Sequence, residues 1–198
     1  NIPKVLEVTV IDGKWTIVSD YIKGKTLAQL MQENPEKKDE YLNLFVDIQL
    51  EIQSKTCPLL NKLKDKMNRK ICQTDLSATV RYDLHTRLES MPKHNKVCHG
   101  DFNPSNVIVG DDGQLYVCDW AHATQGSPAA DVATTYLLFA LNSKDQAEAY
   151  LELYCDRADM PMQVVRQWTS IVAASELARK RNVNDEFLKN WIDVVDYQ

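Results

Sequence analysis

What the sequence lacks narrows the field first. No apolar run approaches the roughly 20 residues of a membrane span, and no signal-peptide pattern opens the chain. The five cysteines, Cys57, Cys72, Cys98, Cys118 and Cys155, are odd in number and scattered. That argues against a zinc site or a disulfide framework and leads us to expect a reducing cytoplasm. There is no basic excess either. The formal charge is −5, whereas a general nucleic-acid binder needs a basic face. Mild acidity suits a cationic ligand, and equally an ordinary solvated surface. No internal repeat, low-complexity tract or linker interrupts the 198 residues. Strands and helices do not alternate, so a Rossmann sheet is not expected. What remains is one soluble globular domain, 44% hydrophobic and 26% charged, long enough to bury a core without staples.

The patterns that are present run in a definite order. Residues 5–11 alternate and are rich in β-branched side chains; Asp12-Gly13 is a hairpin turn signal, and residues 14–19 return as the partner strand. Gly24 ends this segment, and Thr26 is placed to cap a short helix. Asn34-Pro35 opens a longer helix to about Ser54, with Tyr41, Leu44, Phe45, Ile48 and Ile52 on a buried face. Helical stretches are expected over 59–69 and 75–90. Short strands follow at Val97-Cys98, 107–109 and 115–118, with Asp111-Asp112-Gly113 as a solvated turn. Helices are then expected over 130–141, 144–157, 161–180 and 185–195, with Ser143 and Gln146 as a capping box.

The β-rich insert between these helical blocks carries the chemistry. It reads His99-Gly100-Asp101-Phe102-Asn103-Pro104-Ser105-Asn106, then a strand, a turn, a strand, and Asp119-Trp120. Taken singly, an Asp or Asn on a loop is a turn or cap residue. Taken together they match what phosphoryl transfer requires. Asp101, on a loop after a short strand, can accept a proton from a hydroxyl. Asn106 offers an amide oxygen to a hard cation. Asp119 ends the second strand of the next hairpin and so returns beside Asn106.

This stretch resembles the aminoglycoside phosphotransferase and choline kinase family, whose pattern is close to His-Gly-Asp-x-x-x-x-Asn with a later Asp before an aromatic residue. The resemblance spans roughly residues 5–180 and is most specific over 97–133. It implies an α+β, protein-kinase-like fold: a mainly α-helical C-terminal lobe with a small catalytic β-insert, preceded by a β-hairpin and hinge. Residues 1–22 would be a remnant of the N-terminal lobe and residues 23–198 the helical catalytic lobe. It also implies transfer of the γ-phosphate of ATP or GTP, with Mg²⁺, to a hydroxyl of a small molecule. The acceptor would be an aminoglycoside, a choline-like alcohol, an amino sugar or a related metabolite, with neither nucleic acid nor membrane as a partner.

By the same resemblance, Asp101 is the catalytic base or hydroxyl-orienting residue, and Asn106 and Asp119 are the metal ligands. Asp20, Tyr21 and Ile22 form the hinge whose backbone meets adenine. His99 and Asp131 support the catalytic loop. Glu176 and Asp185 would face a cationic substrate, although a solvated helix face is the simpler account of both. His85, His94 and His122 show no partner pattern. Asn103 stands where protein kinases usually carry Lys, Gly100 precedes the catalytic Asp in place of Arg, and Trp120-Ala121 replaces Phe-Gly. All three departures favour a small-molecule kinase over a protein kinase. The chain opens with Asn1, and no glycine-rich loop or strand lysine precedes residues 5–19. A processed or truncated chain is the expectation from that, and its alternative function is a non-catalytic kinase-like lobe that binds a ligand or partner.

Overall fold

The computed structural model describes residues 1–179 and 185–193. The chain divides into two compact units, Asn1–Phe45 with Asn103–Trp120, and Val46–Phe102 with Ala121–Gln198.

In the first unit, β1 (Val5–Ile11) and β2 (Lys14–Ser19) form an antiparallel hairpin. Asp12 and Gly13 both take positive φ in the turn, the geometry that matches strand twist. Val8 pairs with Ile17 and Val10 with Trp15, and all four side chains are exposed. A second sheet runs in the order β3 (Gly24–Thr26), β5 (Val107–Gly110), β6 (Leu115–Val117). Gly24 therefore does not end the sheet structure: it begins a three-residue strand paired with β5. Such a strand is too short to show alternation, and its pairing partner lies some 80 residues away. Thr26 caps α1 (Leu27–Glu33) through a complete capping box with Gln29, an arrangement worth about 1 kcal/mol. Pro35–Lys37 forms a single 3₁₀ turn, and α2 (Lys38–Ser54) follows and continues into the second unit.

The second unit is mainly helical. It contains α3 (Leu63–Cys72), α4 (Ala78–Ser90), α5 (Pro128–Ala140), α6 (Lys144–Ala158), α7 (Met162–Arg166), α8 (Thr169–Leu177) and α9 (Asp185–Lys189), with a small sheet of β4 (Lys96–Cys98) and β7 (Thr124–Gly126). α5 is its centre: Ala129 to Leu137 are all buried, and the helix packs on α6, α7, α8 and β4. α3 packs on α4, α8 and β7.

Three helical expectations shift. The stretch 59–69 becomes α3 from Leu63, since Pro58 and Leu59 form a turn closed by the Leu60 N–H on Cys57 O, and Lys62 makes a β-bridge to Gln125. The span 161–180 breaks into α7 and α8 at Gln167-Trp168, where the Trp168 N–H bonds to Val165 O at 3.0 Å and the indole is buried. The span 185–195 is helical only to Lys189; Lys180, Val194 and Val195 lie outside the described residues. β7, a strand of Thr, Gln and Gly, had no pattern to announce it. No helix among the described residues is long and apolar enough to cross a membrane.

Candidate active site

Asp101 follows β4 on a loop whose backbone is held by side chains of α5, which are backed in turn by side chains of α2 and α6. The Gly100 N–H donates to Asp131 Oδ1 at 2.7 Å, and Asp131 stands in the first turn of α5. Gln53 Nε2 donates to the other oxygen, Oδ2, at 3.0 Å. Tyr154 donates in turn to Gln53 Oε1. A parallel chain runs one helical turn away. Tyr150 donates to Gln49 Oε1, Gln49 Nε2 donates to Thr135 Oγ1 at 3.4 Å, and Thr135 donates to Phe102 O at 2.9 Å. Three helices thus each supply an i, i+4 pair: Gln49 and Gln53 from α2, Asp131 and Thr135 from α5, Tyr150 and Tyr154 from α6. Residues four apart lie on one helix face, so the two chains run side by side and end on either side of Asp101.

All six of these side chains are buried. Burial raises both the Tyr150 and the Tyr154 phenols well above their ordinary value, so neither ionises near neutral pH. The network is a fixed set of donors and acceptors in which each buried polar group has a partner, as burial demands. Sequence reading placed Asp131 and missed the other five. The available signal was Gln49 and Gln53, two polar residues set four apart among the apolar positions of α2.

Gly100 itself takes φ 76°, and a Cβ there would lie 2.6 Å from the His122 carbonyl oxygen. Only glycine meets both demands. His99 is fully buried, with its ring edge-on to Phe102 at 5.7 Å. Asp101 is 5% exposed.

In the other unit, Asn103 accepts a hydrogen bond from Ser105 N at 2.9 Å and caps a single 3₁₀ turn, Pro104–Asn106. β5 leaves directly from that turn, and β6 returns with Val117 opposite Val107. The Cys118 N–H donates to Asn106 O at 2.8 Å. Asn106 and Asp119 are therefore neighbours across the mouth of one hairpin. Asp119 is exposed and takes φ 58°, a conformation that Asp tolerates better than most residues. At the opposite end of the hairpin, Asp112 accepts from Gln114 N and Tyr116 OH, which hold its carboxyl below the usual range. That is the solvated turn expected there.

The remaining candidates stand as follows. The Asp20 N–H donates to Lys4 O at 2.9 Å, Tyr21 is exposed, and Ile22 is half-buried. Glu176 faces Arg179, whose Nη1 contacts both of its carboxylate oxygens at 2.8 Å. Asp185 opens α9 and is exposed. Asn106 and Asp119 suit a magnesium ion: one carboxylate and one amide oxygen are the hard, sparse protein donors that Mg²⁺ takes when phosphates and water complete its shell. No group of three or more His, Cys, Asp or Glu side chains able to hold a metal occurs among the described residues.

Residues 3–164 match the model of a family described as the phosphotransferase enzyme family. Solved structures of similar fold include the aminoglycoside phosphotransferase APH(4)-Ia, at 18% identity and a TM-score of 0.68, with 97% of this chain and 75% of that one covered. A thermostable mutant of that protein was crystallised in a ternary complex with ADP and hygromycin B. The choline kinase LicA from Streptococcus pneumoniae is similar at 17% identity and a TM-score of 0.57, over 96% of this chain and 72% of that one. A choline/ethanolamine kinase family protein from Mesorhizobium loti aligns at 16% identity and a TM-score of 0.53, over 97% and 69%. At such identities the likeness concerns the fold, which is kinase-like and mixed α and β.

Proposed function

The chain belongs to the phosphotransferase enzyme family, and from that premise we propose that it moves the γ-phosphate of ATP or GTP to a hydroxyl of a small molecule such as an aminoglycoside, a choline-like alcohol or an amino sugar. The observation that carries this reading is the pairing of Asn106 with Asp119 at the mouth of the β5–β6 hairpin, with Asn106 five residues after Asp101, whose preceding N–H is held by Asp131. Asn106 and Asp119 would hold a magnesium ion, which would neutralise charge on the phosphoryl oxygens. Asp101 orients the acceptor hydroxyl and takes its proton as the oxygen attacks. His99 and Asp131 shape the loop and touch no reacting atom. The adenine edge meets the backbone at Tyr21 and Ile22, the Asp20 N–H being engaged with Lys4 O. The reducing cytoplasm is the compartment this chemistry and the scattered cysteines suit.

A thermal-shift titration with Mg-ATP and Mg-GTP, run beside Asp119→Asn, tests the reading. A ligand at about 100 times its Kd stabilises by about 2.7 kcal/mol, or roughly 5–10 °C in a chain of this size. The rise should need magnesium and disappear in the variant. No rise with either nucleotide would remove nucleotide binding from this chain and the proposal with it.

A further inference from the structure

Arg179 and Glu176 stand out by burial. Their side chains are 4% and 12% exposed, whereas every other ion pair among the described residues leaves 31% or more of each side chain exposed. Burying an ion pair is costly unless the geometry repays desolvation, so this one calls for an account. Glu176 spends both oxygens on Nη1 of Arg179, and Arg179 Nη2 reaches the Gly100 carbonyl at 3.1 Å. The Arg179 Nε is buried without a hydrogen-bond partner among the described residues. The guanidinium is thus placed for Gly100 at the expense of its own satisfaction.

The same peptide is held from other sides. Asp131 takes the Gly100 N–H, and the His122 carbonyl closes the space beside its Cα. Lys66 Nζ in turn donates to that carbonyl at 2.7 Å. Four buried or half-buried charges, Lys66, Arg179, Asp131 and Glu176, balance in sign around the residue that precedes Asp101. Lys66 registers the crowding: burial first, then Arg179, lowers its pKa to about 8.

We propose that Arg179, aligned by Glu176, is a positioning residue for phosphoryl transfer, fixing the Gly100 carbonyl and through it the reach of the Asp101 carboxylate. This rests on the phosphotransferase reading above. It also gives Glu176 a role that is not substrate contact, since both its carboxylate oxygens are turned onto Arg179.

The test uses the 198-residue chain and the variants Arg179→Ala, Arg179→Lys and Glu176→Gln, with two readouts. The first is amide hydrogen exchange over His99–Phe102, which needs no turnover. Arg179→Ala should speed it about tenfold or more; unchanged exchange in the folded variant overturns the clamp. The second is steady-state kinetics with Mg-ATP and either choline or hygromycin B. Positioning predicts a kcat about 10–100-fold lower with both KM values within about threefold. Arg179→Lys, which keeps one donor, should recover part of it. Glu176→Gln should weaken kcat without adding fully to Arg179→Ala. A raised acceptor KM at unchanged kcat would make Glu176 a substrate contact and overturn the assignment. A Lys variant no better than Ala would reduce Arg179 to mere packing. If the wild-type chain phosphorylates neither acceptor, the phosphotransferase reading loses support while the exchange measurement still decides whether the clamp exists.

Discussion

His99–Phe102 and Asn103–Trp120 are consecutive in sequence and are held in opposite ways. The first stretch is buried, and its backbone is fixed by side chains that come from 31 to 79 residues away, Asp131 and Arg179 among them. The second is half-exposed and is shaped by local bonds: an Asn cap, a 3₁₀ turn and a hairpin bring Asn106 beside Asp119. The difference fits the two tasks proposed for them. A base that must meet one hydroxyl needs a fixed position, and burial provides it. A metal pair that completes its shell with phosphates and water needs access.

The contrast can be broken from either side. The largest effect should come from Asp131→Ala, which strands the half-buried Gly100 N–H and the buried Gln53 amide. A loss of about 3 kcal/mol, read as a melting temperature lower by roughly 6–12 °C, is expected. Asp119→Asn, on the exposed side, should move stability by no more than about 0.5 kcal/mol. Equal losses in the two variants would erase the distinction.

Next come two glycines with nearly the same backbone. Gly100 has φ 76° and the His122 carbonyl against it; Gly113 has φ 75° and nothing within 4 Å. Alanine at 113 should cost only the conformational strain, about 1 kcal/mol. At 100 the collision adds to the strain, and about 2–3 kcal/mol is expected together with loss of activity. Urea denaturation of the two variants measures the gap.

The smallest effect concerns pH. Because Lys66 has a folded pKa of about 8, below its ordinary 10.5, the unfolded chain binds more protons between those values. Its contribution to stability therefore rises with pH in that window. Cys98, Tyr150 and Tyr154 act the other way above about pH 9, since burial raises their pKa values. The difference between wild type and Lys66→Met isolates the lysine. Wild type should gain on the variant from pH 7 to 9, by about 1 kcal/mol or less given the partial solvent screening at Lys66. A flat difference would show that Lys66 titrates normally.

The same contrast explains what the sequence disclosed. The Val5–Ile11 and Lys14–Ser19 hairpin was legible with its turn, because alternation and an Asp-Gly pair are local signals. The Thr26 cap and the hairpin beside Asn106 were legible for the same reason. β3 and β7 were not, since three residues cannot display a period and their pairing is decided by distant strands. The Gln49–Tyr150 and Gln53–Tyr154 bonds each span 101 residues, and nothing in a single sequence announces a partner at that distance. Glu176, near the end of a helix, looked like a solvated face; only the packed structure shows it buried against Arg179, whose guanidinium reaches the Gly100 carbonyl. The kinase-like fold was read from the motif, and the scaffold that holds the motif became visible only in three dimensions.

The most direct test of the central claim is phosphorus NMR of Mg-ATP with choline and with hygromycin B, comparing the wild-type chain with Asp101→Asn. A positioned base contributes about 10²–10⁴-fold. The account predicts a new phosphate ester together with ADP in the wild type and a rate lower by that factor in the variant. Phosphoryl transfer at nearly the same rate in both proteins would contradict it.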